Sequence, residues 1–301
     1  MVEEKELREE LDFLLKEVKD ILVYHDNNDH LGKRGHYYKV SEDENNVQVI
    51  IGFNCAYLLF KRFSKLLETI YFLKFQSDHY DFLALPTLAR SLFEIYLNFA
   101  NIFIIPSRNL QKIENPLHEL HFNFLMFDCY SAKRILDFKK SLGISGFDNM
   151  KFKEIKANLD ETLSADFGKH LKSVGEESFL KDLENLNEWK LYNYPKIAEI
   201  INFSKPFTYK IYTYLSDFVH GGAYSLYLMQ HDDLKEKDEK VVINFITIIT
   251  ATFVFSYSRI MQSFFQDKFA FDLEKIKRIA SRGIDEDFFK DINKDDTHDN
   301  I

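Results

Sequence analysis

The sequence predicts an all-α protein, a multi-helix bundle of long antiparallel helices. The 301 residues include only 10 glycines and 5 prolines, too few for the many tight turns that a sheet-rich fold needs. Hydrophobic residues make up 46% of the chain, enough for a large core, so the class of disordered proteins is excluded. Apolar residues also recur at helical spacing, beginning with Leu7, Leu11 and Leu14.

The predicted helices are long and have few connections between them. They cover residues 3–24, 47–76, 82–105, 110–141, 149–174, 177–187, 196–202, 206–220, 239–267 and 272–282. Pro86 lies in the first turn of the third helix, where proline is tolerated, and Pro106 marks its end. The fourth helix ends near Gly143, and the fifth is polar enough to lie outside. Gly221 and Gly222 stop or kink the helix at 206–220.

One domain is the simplest division of the chain, since no internal repeat or low-complexity linker interrupts residues 1–284. We place its core at about 47–267. The remaining 285–301 carry seven acidic residues against two lysines, more than half of the total net charge of −9. We expect an acidic, disordered tail there. Because residues 1–284 are only mildly acidic, their net charge is only weak evidence against nucleic-acid binding.

The sequence indicates a cytoplasmic location. Cys55 and Cys129 lie in apolar helical runs, which favours buried thiols and a reducing compartment. The N-terminus has no basic region followed by an apolar one, so we predict no signal peptide. The 18 residues from Val241 to Ser258 carry no charge. A length of 18 residues is near the lower limit for a membrane-spanning helix. Several hydroxyl side chains interrupt them, so we predict a buried core helix and no membrane association.

A first polar stripe lies on the otherwise apolar helix at 82–105. Its members fall within an arc of about 100°: Thr87, Arg90, Ser91, Glu94, Asn98 and Asn101. Arg90 and Glu94 are four residues apart and can form an ion pair. Three interpretations stay open, namely an exposed edge with an ordinary ion pair, a buried structural pair, and a functional site.

A second polar stripe lies on the helix at 206–220 and just beyond it. Its members also fall within about 100° if the helix continues: Tyr209, Thr213, Ser216, Asp217, His220 and Tyr224. Ser216 and Asp217 lie one turn before His220, where either can orient its imidazole. The two glycines after His220 permit close approach of a backbone or a substrate. The alternative is a structural histidine at a helix end.

If the two stripes face each other, they form one catalytic pocket with Arg90, Glu94, Ser216, Asp217 and His220. Such a set suits phosphodiester chemistry that needs no metal or cofactor. His220 would take a proton from a ribose 2′-hydroxyl or donate one to the leaving oxygen. Arg90 would stabilise the charge that grows on phosphorus. That the two stripes face each other is a hypothesis, because the spacing of residues along the sequence does not show how the two helices pack.

The segments ARSLFEIYLN (89–98) and YTYLSDFVHGG (212–222) resemble the two hallmark helices of a bacterial family, number 5677 among the domains of unknown function. Its members pair an R-S-x-x-E helix with a downstream S-x-x-x-H helix, and the resemblance covers about residues 50–265. The layout is more distantly similar to the HEPN superfamily of helical bundles, often dimers. Many of those are metal-independent ribonucleases of toxin–antitoxin and anti-phage systems.

This resemblance implies a HEPN-like core with extra helices, an RNA substrate, a homodimer and an antitoxin or other protein partner. The sequence departs from the HEPN signature, in which Arg precedes His by four to six residues on one helix. The nearest cation before His220 on its helix is Lys210. An arginine from another helix, Arg90, would have to replace it.

Other patterns are weaker. His118 and His121 flank Glu119 without the zinc-protease spacing, so we predict no metal site. No glycine-rich phosphate loop and no G-x-S-x-G motif occur. Three hypotheses follow, namely a ribonuclease effector, a non-catalytic interaction protein whose stripes fix the helix register, and a sensor of small anions.

Overall fold

The structure is a computed structural model. It describes residues 4–27, 44–77, 81–107, 116–143, 153, 156–157, 160, 185–186, 188–190, 192–203, 205–220, 222–228, 231–265, 269 and 271–283. None of these residues lies in a β-strand, and the all-α prediction is confirmed. The main helices are α1 Glu4–Asn27, α2 Glu44–Phe75, α3 Ala84–Phe99, α4 Pro116–Ser141, α5 Tyr194–Ile200, α6 Lys205–Val219, α7 Ala223–Leu228, α8 Asp232–Phe265 and α9 Leu273–Ala280.

The described helices differ from the sequence prediction in several places. The third helix is α-helical only to Phe99 and continues as a π-helical segment, Ala100–Ile104, with a wider hydrogen-bonded ring. Helix α8 begins at Asp232 because a run of charged helix-forming residues precedes its apolar part. The short helix α7 was not predicted. The acidic tail and nearly all of the helices expected at 149–174 and 177–187 lie outside the described residues.

The chain divides into two compact units, one of residues 1–100 and 194–301 and the other of residues 101–193. This division does not test the prediction of one domain over 1–284, which stays a prediction. In the second unit, the Asn123 amide donates a buried hydrogen bond of 3.0 Å to the Asn101 carbonyl oxygen. The Phe127 ring lies edge-on to Trp189 with the two centroids 4.9 Å apart.

The core of the first unit is built around α8, which packs against α1, α2, α3 and α9. Phe253 at its middle is fully buried. The centroids of Phe60, Phe63 and Phe99 lie 5.3, 4.7 and 4.9 Å from its own. Contacts of this geometry add to the free energy gained by burying the rings. These rings form an aromatic centre of the core.

The hydroxyl groups of α8 are compatible with deep burial. Thr247, Thr250 and Thr252 donate hydrogen bonds of 2.7–2.8 Å to carbonyl oxygens four residues earlier, so these three hydroxyls are satisfied within the helix. By length and composition, Leu234–Gln262 is apolar enough to cross a membrane, but 89% of its apolar window is buried inside the fold. Core helices of soluble proteins have the same features, so this helix is only a weak indication of a membrane span.

Helices α3 and α6, which carry the two polar stripes, pack against each other. Phe82, just before α3, contacts Phe218 near the end of α6, with centroids 6.1 Å apart. Phe93 on α3 contacts Phe203, just before α6, at 5.6 Å. The two helices are therefore antiparallel neighbours. Cys55 and Cys129 are both buried thiols, as predicted.

Candidate functional site

The polar stripe of α3 lies along its least buried edge. Thr87, Arg90, Ser91, Glu94 and Asn98 are all partly buried, whereas most other side chains of α3 are fully buried. The hydroxyls of Thr87 and Ser91 donate to carbonyl oxygens four residues earlier. Asn101 lies in the π-helical segment and is 3% exposed. The stripe thus contributes an ion pair and three further polar side chains to one edge of the helix.

Arg90 and Glu94 form a closed cluster with Tyr212 of α6. The Arg90 Nε donates to Glu94 Oε1 over 2.9 Å, and its Nη2 donates to the Tyr212 hydroxyl over 3.3 Å. That hydroxyl donates in turn to Glu94 Oε1 over 3.3 Å. The Arg90 guanidinium also lies 5.0 Å from the centroid of the Tyr212 ring, within cation–π range. The side chains of Arg90 and Glu94 are 17% and 30% exposed.

The surroundings of Arg90 and Tyr212 raise the pKa of both groups. Burial lowers the pKa of the Arg90 guanidinium, but the hydrogen bond and charge of Glu94 and the Tyr212 phenol together raise it, and the net direction is upward. Burial, and then the negative charge of Glu94, raise the pKa of Tyr212. At neutral pH the Arg90 side chain is therefore a cation and the Tyr212 side chain a neutral phenol.

The polar stripe of α6 opens onto a pocket of about 660 Å³. The pocket is lined by Lys210, Thr213, Tyr214, Ser216, Asp217, His220 and Tyr224. Five of these seven belong to the stripe predicted from the sequence. The side chain of its sixth member, Tyr209, lies outside the described residues. The helical spacing of the stripe thus brings its polar residues to one concave surface.

Asp217 caps the short helix α7 that follows the two glycines. Its Oδ2 accepts a hydrogen bond of 2.9 Å from the backbone N–H of Ser225, in the first turn of α7. The Gly222 N–H donates to the Asp217 carbonyl oxygen over 2.7 Å. A Cβ atom at position 222 would collide with the Asp217 carboxylate. Glycine is therefore needed here because the carboxylate approaches the backbone closely.

The His220 imidazole is not oriented by its expected partners. The Ser216 hydroxyl donates a hydrogen bond of 2.7 Å to the Tyr212 carbonyl oxygen. The Asp217 carboxylate accepts a hydrogen bond from the backbone N–H of Ser225 in α7. The His220 side chain is exposed at the end of α6, and the backbone N–H of His220 donates to the Ser216 carbonyl oxygen. No side chain in the described part of the chain hydrogen-bonds its ring. The imidazole is therefore accessible to a ligand in the pocket.

The five residues predicted to form one catalytic pocket separate into two groups. Arg90 and Glu94 lie in the cluster with Tyr212, and Ser216, Asp217 and His220 line the pocket. Tyr212 and His220 are eight residues apart, which is about 12 Å along a helix axis. The members of each stripe lie together. Arg90, however, contacts α6 at Tyr212, about two helical turns before His220.

Asp238 of α8, which the sequence reasoning missed, binds two tyrosines that line the pocket. The hydroxyls of Tyr214 and Tyr224 donate to the same oxygen, Oδ2 of Asp238 on α8, over 3.0 and 2.7 Å. Burial, and then Asp238, raise the pKa of both phenols, that of Tyr224 to about 12. Asp238 lies in a charged run whose pattern is typical of a solvated helix face, so nothing in the sequence distinguished it.

Metal binding at the pocket has no support in the geometry. Within the described ranges, no three His, Cys, Asp or Glu side chains are close enough to hold a metal ion. The side chains of His118, Glu119 and His121 lie outside those ranges. The basic side chains that line the pocket are Lys210 and His220, and its carboxylate is Asp217.

Fold and site together define an all-α protein with a closed Arg–Glu–Tyr cluster and an adjoining open pocket at a helix end. The chain belongs to the Family of unknown function (DUF5677), whose model matches residues 53–239, more than half of the sequence. The matched span includes both groups of site residues. No curated protein and no solved structure is significantly similar to the chain. The predicted membership of this family is confirmed.

Proposed function

We propose that this protein binds a small anionic ligand in the pocket beside His220. The charge pattern of the pocket carries the proposal. Lys210 and His220 are both exposed, and neither forms an ion pair within the described part of the chain. The carboxylate of Asp217 already accepts a hydrogen bond from the backbone of α7. The basic groups of the pocket are thus the ones available to a ligand.

The size and chemistry of the pocket support an anion of modest size. A volume of about 660 Å³ lies within the range of small-molecule sites. An ammonium and an imidazole donate hydrogen bonds to phosphate or carboxylate oxygens, and such charge-assisted bonds are stronger than neutral ones. The hydroxyl of Thr213 on the same face adds a further donor, whereas that of Ser216 already donates to the Tyr212 carbonyl oxygen. A phosphate-bearing ligand accepts hydrogen bonds from donors of this kind.

Isothermal titration calorimetry with inorganic phosphate and ribose 5-phosphate tests the proposal. We expect saturable binding, and a loss of affinity of about tenfold or more in His220→Ala. His231→Ala is the matched control, because His231 is a histidine of the same unit that does not line the pocket. The absence of binding, or an equal loss in His220→Ala and His231→Ala, would contradict the proposal.

A second candidate function is metal-independent cleavage of RNA, as in an effector of bacterial anti-phage or toxin-type defence. The unengaged imidazole of His220 favours it, since a general base needs access to the proton that it takes. The 2′-hydroxyl oxygen would bond to phosphorus while His220 takes its proton. The bond to the 5′-oxygen would break, and that oxygen would leave with a proton from water. Lys210 lines the same pocket but lies ten residues before His220, about 15 Å along the helix axis, so it would hold a neighbouring phosphate of the strand.

The products and requirements of this cleavage are specific. We expect a 2′,3′-cyclic phosphate and a 5′-hydroxyl, activity that persists with a chelator, and no cleavage of a strand with deoxyribose at the scissile position. His220→Ala should abolish the activity, whereas His231→Ala should retain it. A chelator-sensitive activity, or one that survives in His220→Ala, would contradict the mechanism. A HEPN-like relationship, a homodimer, a cytoplasmic location and an antitoxin partner all belong to this second proposal.

The interaction-protein hypothesis draws its support from the other stripe. The cluster of Arg90, Glu94 and Tyr212 joins α3 to α6 by hydrogen bonds among its own members. Hydrogen bonds of this kind between two packed helices fix their relative position, although the Nη1 of Arg90 is buried without a hydrogen-bond partner among the described residues. We therefore assign a structural role to the stripe of α3, and ligand binding to the stripe of α6.

A further inference from the structure

Two exposed aromatic rings lie at the edge of the pocket. Tyr224 and Tyr227 of α7 are 39% and 49% exposed. They are three residues apart, so they lie on neighbouring positions of one helix face. Tyr224 lines the pocket itself, and the ring of Tyr227 lies 4.2 Å from that of His231 at an angle of 34°. Large exposed aromatic side chains beside a pocket typically contact ligands.

These rings are held in place before any ligand binds. The Tyr224 hydroxyl donates to Asp238, and its ring contacts Phe218 with centroids 6.3 Å apart. Helix α7, which carries both tyrosines, is capped by Asp217 from the preceding helix. Because the Tyr224 ring is already fixed, it loses little conformational entropy when a ligand stacks on it.

Fixed aromatic faces beside cationic groups are the combination that binds single-stranded nucleic acids. Bases stack on the rings while lysine and similar groups contact the phosphates. Here Lys210 and His220 line the same pocket as Tyr224. The two tyrosines are separated by about 4.5 Å of helix rise, a distance that successive nucleotides of one strand can span.

We propose that the ligand of this pocket is a nucleotide within a single strand. One base stacks on Tyr224 and its phosphate contacts His220. Lys210, ten residues earlier and about 15 Å away along the helix axis, contacts a phosphate further along the strand, and the neighbouring base stacks on Tyr227. The inference rests on the proposed anion binding and specifies the class of ligand. It gives Tyr224 and Tyr227 a role in affinity that a site for a bare anion does not require.

The first experiment compares AMP with ribose 5-phosphate in calorimetric titrations of the full chain. The two ligands share the phosphate and the sugar and differ by the base. We expect AMP to bind more tightly by about fivefold or more, because stacking of a base on an aromatic side chain is worth at least that factor. Tyr224→Leu should remove this difference, and Tyr224→Phe, which keeps the ring, should retain most of it.

The second experiment uses Tyr227, whose exposed ring can be replaced with little risk to folding. Tyr227→Leu should weaken the binding of a 5′-phosphorylated dinucleotide by about fivefold or more and leave that of AMP unchanged. Phe72→Leu is the matched control, because Phe72 is 53% exposed on α2 and does not line the pocket. Circular dichroism of each variant verifies the fold.

The outcomes separate the two proposals. Equal affinities for AMP and ribose 5-phosphate, or equal effects of Tyr227→Leu and Phe72→Leu on the dinucleotide, would overturn the stacking inference and leave anion binding intact. If neither phosphate nor ribose 5-phosphate binds the parent protein, the proposed function fails and the inference fails with it.

Discussion

The closed cluster at Arg90 and the open pocket at His220 originate from the same kind of sequence feature. Each is a polar stripe on an apolar helix, and the two helices are antiparallel neighbours. In the cluster, the charged groups bind one another across α3 and α6. In the pocket, the carboxylate is bound by backbone and the basic groups are exposed. The two stripes contain similar residue types. They differ because the charged groups of the structural stripe bind each other, whereas the basic groups of the ligand-binding stripe are exposed.

The largest expected effect on stability comes from breaking the closed cluster. Glu94→Ala leaves the Arg90 guanidinium, 17% exposed, without its carboxylate. Loss of a hydrogen-bonded charge pair of this burial should lower the free energy of unfolding by about 2 kcal/mol. Urea denaturation measures the change, and phosphate binding at the pocket should not change.

The matched control for Glu94→Ala is Glu236→Ala. Glu236 forms an i,i+4 pair with Lys240 as Glu94 does with Arg90, but its side chain is 68% exposed. Exposed pairs contribute little to stability, so this variant should unfold like the parent. Similar losses in the two variants would contradict the claim that the Arg90 cluster is a structural element.

A double-mutant cycle tests the link between Asp217 and Gly222. Asp217→Ala removes the cap of α7, and Gly222→Ala displaces the same carboxylate by steric collision. Each should cost about 1 kcal/mol of unfolding free energy. The double variant should cost about the same as one substitution, because both remove a single interaction. Additive losses would show that Gly222 acts independently of the Asp217 cap.

The helices and the two stripes could be predicted from the sequence because both depend on periodicity. The Arg90–Glu94 pair was also predictable, since residues four apart meet on any helix. Tyr212 as their partner was not, because it depends on how α6 packs on α3. Asp217 was expected to orient His220. Its true partner, the Ser225 N–H, comes into reach only because the chain turns at Gly222 and starts a new helix.

Asp238 and α7 show a second limit of sequence reasoning. Helix α7 has only six residues, too few to display a helical pattern of apolar positions. Asp238 lies in a charged run, and its two tyrosine partners are distant in sequence. Contacts between distant residues of this kind leave no local signal.

The smallest expected effect is the response of stability to alkaline pH. The pKa of Tyr224 is raised from its usual value of 10.0 to about 12, mainly by burial and then by Asp238. In this range the unfolded chain releases a proton that the folded chain retains. The contribution is therefore complete below pH 10 and is lost as pH rises towards 12. Tyr224→Phe should show a weaker decline of thermal stability in that window, and an unchanged decline would contradict the assignment.

The most direct test of the open pocket is an NMR titration of the histidine ring resonances with inorganic phosphate. His220 is assigned by comparison with His220→Ala, and His231 serves as an internal control. We predict saturable chemical-shift changes at the His220 ring and none at His231, with the same result in Glu94→Gln, which leaves the pocket residues untouched. Ring resonances of His220 that stay unmoved while phosphate binds elsewhere would contradict ligand binding at this pocket.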